Sequence, residues 1–173
     1  MNDQERSAVI TRIVNGLLEG GWIGKTHVQK AVFFAQEAAG LDLGFRYVIH
    51  HYGPYSFELN AFMESLQYQG LLQIERASDG YGYEVKPGSD TSNQTLAPSV
   101  EKKVSEVTRV LAGQGTSDME LLATAFYVLH RYGGSAEDEP NINRVKELKP
   151  RFQREKVINS LKEAQDIYLI LRT

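Results

Sequence analysis

Apolar positions recur along this chain at two different spacings, and the change between them marks out the elements. Ile10, Ile13, Val14, Leu17 and Leu18 fall three or four residues apart, which predicts an amphipathic helix over about 4–19. Gly20-Gly21 stops it, because glycine readily takes the left-handed conformation that closes a helix. Val28, Ala31, Val32 and Ala35 repeat the pattern and predict a second helix over about 25–39. Between the two, Trp22 and Ile23 are expected to plug into the core, and Thr26 to cap the second helix. Phe45 to His51, FRYVIHH, is aromatic and β-branched and reads as a short strand. Gly53-Pro54 forces a turn. Leu59, Phe62, Met63 and Leu66 then predict a third helix over about 55–69. LLQIERA (71–77) and YGYEVK (81–86) flank Ser78-Asp79-Gly80, and Asp-Gly between two β-type runs signals a hairpin.

Beyond residue 87 the pattern changes. PGSDTSNQTLAP (87–98) is nearly devoid of apolar residues and reads as a linker. Helical spacing returns with Val100, Val104, Val107 and Leu111, and again with Leu122, Ala125, Phe126 and Leu129 after Thr116-Ser117-Asp118. A shorter helix is predicted over about 141–148, before Pro150. A last helix carries Val157, Leu161, Ala164, Tyr168 and Leu171 on one face. The expected fold is mostly α with a small β-hairpin, an α+β chain. It divides into a winged-helix-like domain (1–90), a linker (91–98) and a helical subdomain (99–173). Three helices followed by a hairpin is the order of a winged helix, with the hairpin as wing.

The stretch GGWIGKT (20–26) looks like a phosphate-binding loop and fails as one. That loop needs a glycine five positions before its Gly-Lys and a preceding strand. The glycine position holds Glu19, and the preceding element is a helix.

A winged helix usually reads DNA through its third helix, which then supplies cations to phosphates. From Tyr47 to Glu75 there is no lysine or arginine, and Glu58, Glu64 and Glu75 stand instead. Net charge is −3, so bulk attraction to a phosphate backbone is absent as well. Aromatic residues concentrate from 47 to 83: Tyr47, Tyr52, Tyr55, Phe57, Phe62, Tyr68, Tyr81 and Tyr83. Phe57 and Phe62 are expected in the core. Tyr52, Tyr55, Tyr81 and Tyr83 are the candidate partner-binding residues, because tyrosine combines apolar area with a polar tip and is favoured at protein interfaces. A second candidate is the basic segment Arg144, Lys146, Lys149, Arg151, Arg154 and Lys156. It reads as the solvated face of two helices or as a patch for an acidic protein or nucleic acid.

Catalytic patterns are not found. Cysteine is absent, so there is no thiol nucleophile or disulfide framework. No HExxH, EF-hand or GxSxG spacing occurs. His50 and His51, adjacent in a predicted strand, should point to opposite faces. His51 beside Tyr52 reads as a structural histidine rather than a general base. Glu137, Asp138 and Glu139 read as a solvated acidic turn. The expectation is a chain without metal, cofactor or enzymatic activity. The start, MNDQERSAV, lacks the apolar core of a signal peptide. The longest apolar run, Ala31 to Ala35, is far too short to span a bilayer. A cytoplasmic protein without a membrane partner is expected.

Two stretches also carry a family resemblance. KTHVQKAVFFAQ, followed by HHYGPYSFELNAFMESLQYQGLL with its Tyr-Gly-Pro-Tyr-Ser element, resembles the YwgA family of uncharacterised prokaryotic proteins. It is more distantly similar to the SocA-like, or Panacea, antitoxin domain, also described as phage-associated. The likeness covers about residues 8–75. ELLATAFYVL (120–129) and RVKELKPRFQREKV (144–157) also look like the carboxy-terminal half of the YwgA group. The resemblance implies a non-enzymatic protein-binding role of antitoxin or adaptor type, against a toxin or regulator. The alternative is a winged-helix transcriptional regulator that binds DNA through the basic segment or as a homodimer.

Overall fold

The computed structural model describes residues 1–78, 80–90 and 95–172. The order is α1 (Asp3–Leu18), α2 (Lys25–Glu37), β1 (Val48–His50), β2 (Gly53–Tyr55), α3 (Phe57–Tyr68), β3 (Leu72–Arg76), β4 (Tyr83–Pro87), α4 (Pro98–Leu111), α5 (Thr116–Tyr132), α6 (Glu139–Leu148) and α7 (Arg154–Leu171). The fold is α+β, mostly helical, with two small antiparallel sheets, β1–β2 and β3–β4.

Local chemistry fixes the helix ends. The Asn2 side chain accepts from the Glu5 N–H at 2.9 Å, and the Glu5 carboxylate accepts from the Asn2 N–H at 3.0 Å. This reciprocal cap satisfies two donors that a bare helix start leaves orphaned. At α3, the Ser56 hydroxyl accepts from the Leu59 N–H. At α2 the expected cap is replaced. Not Thr26 but the His27 ring closes the turn: its Nδ1 accepts the Gly24 N–H at 3.1 Å.

Helix α2 is the centre of the molecule. Val28, Ala31, Val32, Phe33, Phe34 and Ala35 are all buried, and the helix packs against α1, α4, α5 and β2. A helix surrounded by others needs apolar residues on nearly every face, which explains the Ala31–Ala35 run. Phe34 stacks on Phe126 of α5 at 4.9 Å between ring centres. Helices α1 and α4 cross closely: a methyl group at Gly16 would lie 2.6 Å from Thr108 Oγ1, and one at Gly20 would overlap the Gly113 backbone. Helix α5 packs in turn on α6 and α7.

The core therefore runs across the expected boundary between 1–90 and 99–173. Residues from both sides of it form one continuous apolar cluster. Residues 91–94 of the expected linker, and Asp79 of the hairpin turn, lie outside the described residues.

Two apolar side chains are placed differently from expectation. Trp22 is 50% exposed and Phe57 64%. Trp22 folds outward over Gly24, while its neighbour Ile23 fills the core as expected. Phe57 occupies the first position of α3, off the stripe of Leu59, Met63 and Leu66 that faces inward.

Among the described residues, no helix is long and apolar enough to cross a membrane.

Candidate protein-binding surface

The β1–β2 ribbon is held from behind by polar side chains that are themselves buried. In α2, Gln29 pairs with the Ser56 backbone in both directions: Nε2 donates to the carbonyl at 2.9 Å, and Oε1 accepts from the N–H at 3.0 Å. Its neighbour Lys30 donates Nζ to the Pro54 carbonyl at 2.7 Å. From the far end of the chain, Lys149 donates to the His51 carbonyl. Lys149 also pairs with Glu120 of α5 at 2.6 Å, and the other Glu120 oxygen accepts from Arg151 at 3.0 Å. Gly53, at φ +85°, seats directly on α5. A methyl group there would lie 2.6 Å from Thr124 Oγ1.

Gln29 and Lys30 on one side, and Gly53, Pro54 and Ser56 on the other, thus form one unit. The Val-Gln-Lys and Tyr-Gly-Pro-Tyr-Ser stretches contact each other. Burying polar groups is costly unless each finds a partner, and here every one named does. Burial, and then the nearby Lys149 charge, push the Lys30 ammonium down to about 7, against the opposing pull of Glu120. His27 is depressed by burial, partly offset by its hydrogen bond to the Gln114 carbonyl. With Nδ1 accepting from Gly24, its neutral ring carries the proton on Nε2.

This clamp presents an aromatic face. Val48, His50 and Tyr55 share one side of the ribbon, because Val48 is opposite Tyr55 in the register and strand side chains alternate. His50 lies 5.4 Å from Tyr55, and Phe57 5.0 Å from Tyr55. His50 and His51 correct the expectation of opposite faces. Their rings meet at 5.0 Å, because β1 ends at His50 and strand alternation does not extend into the turn. Tyr52, at the turn, is exposed; Tyr55 is half-buried. Burial, and then the charge of Glu64, raise the Tyr55 hydroxyl above its usual range.

The remaining candidates sit on the β3–β4 hairpin. Tyr81 and Tyr83 are exposed. Lys25 lies over the Tyr83 ring at 5.0 Å and pairs with Glu64 at 3.7 Å. Glu64 and Lys25 thus lie between the two tyrosine groups along α3. Tyr68, at the end of that helix, is 95% exposed.

The sequence overlooks Phe57, His50 and Trp22 as surface aromatics. Phe57 precedes the inward stripe of its helix by two positions, which is the available signal.

The basic segment is not a set of free cations. Lys149 is buried, so its place in a surface patch is corrected; the reason is its pairing with Glu120. Arg151 shares that carboxylate. Arg154 pairs with Glu139, and Lys156 with Asp118 at 2.6 Å. Lys146 donates to the Pro150 and Phe152 carbonyls. Arg144 lies 4.4 Å over the Tyr132 ring. The carboxylates of α3 are matched too: Glu58 binds Arg46 through both its oxygens. In the 137–139 turn, Glu137 pairs with Lys162 and Asp138 accepts from Ser135. Among the described residues, no three His, Asp or Glu side chains converge as a metal would require.

No protein-family model matches the chain, and no curated protein is significantly similar to it.

Proposed function

We propose that this chain is a non-enzymatic protein-interaction module of antitoxin or adaptor type, acting in the cytoplasm. It grips its partner through the aromatic face of the β1–β2 ribbon and the start of α3. The observation that carries the reading is the pairing of an exposed aromatic cluster with a rigid buried support. Phe57, His50 and Val48 are left in water on one face, with Phe57 6.1 Å from His50, and Tyr52 is exposed at the adjoining turn. Contiguous exposed apolar surface marks interaction sites, and preorganised aromatic anchors dominate binding energy. The role agrees with what the YwgA-like and Panacea-like pattern implies, and Tyr81 and Tyr83 extend the surface along the hairpin.

The amino-terminal region is read as winged-helix-like. The Val85 N–H donates to the Ile23 carbonyl at 3.0 Å, so the segment between α1 and α2 bridges to the wing. The arrangement departs from a DNA-reading helix-turn-helix in one respect. Residues 38–56, with the ribbon, stand where a short turn would join α2 and α3. The competing reading is a DNA-binding regulator. It lacks cations on α3, and the basic segment is already paired internally.

A photo-crosslinking residue placed at Tyr52 or Phe57 in the full chain, activated in cells, tests the proposal. The expected product is a protease-sensitive, nuclease-resistant adduct. Nuclease-sensitive adducts, or adducts from Lys156 alone, would overturn it. In vitro, generic duplex DNA should show no salt-dependent binding, whereas a phosphate binder loses affinity steeply between about 50 and 200 mM salt.

A further inference from the structure

The two edges of the β1–β2 ribbon are finished differently. Ile49 is opposite Pro54. Proline has no N–H, and the Pro54 carbonyl points away from β1, since it accepts from Lys30. In an antiparallel ladder this makes Ile49–Pro54 a non-hydrogen-bonded pair, whose backbone groups point outward on both strands. On the β2 side that edge is sealed: the carbonyl is taken by Lys30, no donor exists, and β2 packs on α2 and α5. On the β1 side the N–H and C=O of Ile49 point outward, and among the described residues neither makes a hydrogen bond. The backbone N–H and C=O of Tyr47, just before β1, likewise make no hydrogen bond among the described residues. Val48, between them, is 48% exposed.

We infer that β1 is an acceptor edge, and that the partner docks by adding an extended segment of its own beside Tyr47–Ile49. An open edge offers alternating donors and acceptors that another strand satisfies. The occupant's chemistry follows from the register. Side chains at alternate positions of the added strand would fall beside Val48 and His50, on the aromatic face of the ribbon. The segment is therefore extended, with apolar or aromatic residues at every second position. The clamp explains why so short a ribbon suffices: its inner edge is fixed to α2 and α5, so little ordering entropy remains to be lost on binding.

This inference rests on the protein-binding reading and adds the mode of contact. To test it, a phage-displayed library of random dodecapeptides is panned against the full chain. The enriched peptide is synthesised, and its footprint is read by amide hydrogen exchange. The expected result is a peptide with alternating apolar residues that slows exchange at Ile49 and Tyr47. Backbone N-methylation of that peptide at alternate positions, on the face toward β1, should weaken it at least tenfold. Ile49→Pro should do the same, since it removes the outward N–H without breaking a ribbon bond. The N-methyl peptide keeps the test valid if that variant folds poorly. Peptides that bind with Ile49 still exchanging freely, or that tolerate N-methylation, would overturn strand addition while leaving the aromatic face as a binding surface. Failure to enrich any peptide would count against both.

Discussion

The molecule carries two antiparallel ribbons that are stabilised in opposite ways. The β3–β4 hairpin holds itself: five residues on each strand pair in register, and Leu72, Ile74 and Val85 sink one face into the core. Alternation of buried and exposed positions along it is the ordinary signature of a half-buried sheet. The β1–β2 ribbon has three residues per strand, one of them a proline. A two-stranded unit of that length is not stable alone. It exists because Gln29, Lys30, Lys149 and the α5 surface hold its backbone from outside. A ribbon fixed by its own ladder is a local object. A ribbon fixed by remote lysines is a property of the whole fold, and its aromatic face is only as well ordered as that support.

The most severe way to break the contrast is Glu120→Ala. It leaves Lys149 buried with no carboxylate, and removing one member of a buried pair costs about 3–5 kcal/mol. Chemical denaturation should show the loss, and amide exchange should show β1–β2 opening before β3–β4. Equal loosening of both ribbons would mean that the clamp is not specific.

A smaller effect separates two glycines. Gly53→Ala and Gly80→Ala both place an alanine at positive φ, +85° and +79°, a strain of about 1–2 kcal/mol. Only the first also drives a methyl group into Thr124, adding about 1–3 kcal/mol of overpacking. Melting temperature should fall further for Gly53→Ala, and Thr124→Ala should recover part of that difference.

The acid response should distinguish the regions again. His27 is held neutral in the fold, with its pKa below the unfolded value of 6.5. The unfolded chain therefore binds more protons in that window. The stability this residue contributes is present above pH 6.5 and is lost as pH falls below it. Denaturation of the wild type at pH 7 and pH 5 should show a drop that shrinks in His27→Gln.

The smallest expected change is at the end of α3. Tyr68, 95% exposed, should alter stability by no more than about 0.5 kcal/mol when replaced by Ala, as at most surface sites. Thermal melting checks this, and a larger loss would make Tyr68 a structural residue.

Periodicity was a good guide wherever one face of an element meets the core. The stripes Ile10–Leu17, Leu59–Leu66 and Val157–Leu171 face the core where the spacing puts them, with Phe62 and Tyr168 partly buried. It was a poor guide at positions decided by distant partners. Lys149 looks like one cation among six until α5 delivers Glu120 to it. His27 looks incidental until its ring replaces the expected Thr26 cap.

By itself, the chain's sequence determined the helices, the β3–β4 hairpin, the absence of cations from 47 to 75 and the crowding of aromatic residues there. These depend on residues close in sequence, whose spacing alone sets which face they share. Tertiary structure decided which aromatics reach water, which lysines are buried and which ribbon edge stays open. Those outcomes depend on contacts such as Lys30 with Pro54 and Lys149 with His51, between residues that no local pattern relates. Burial makes each of these contacts obligatory, because a polar group taken out of water must find its partner wherever the fold has put it.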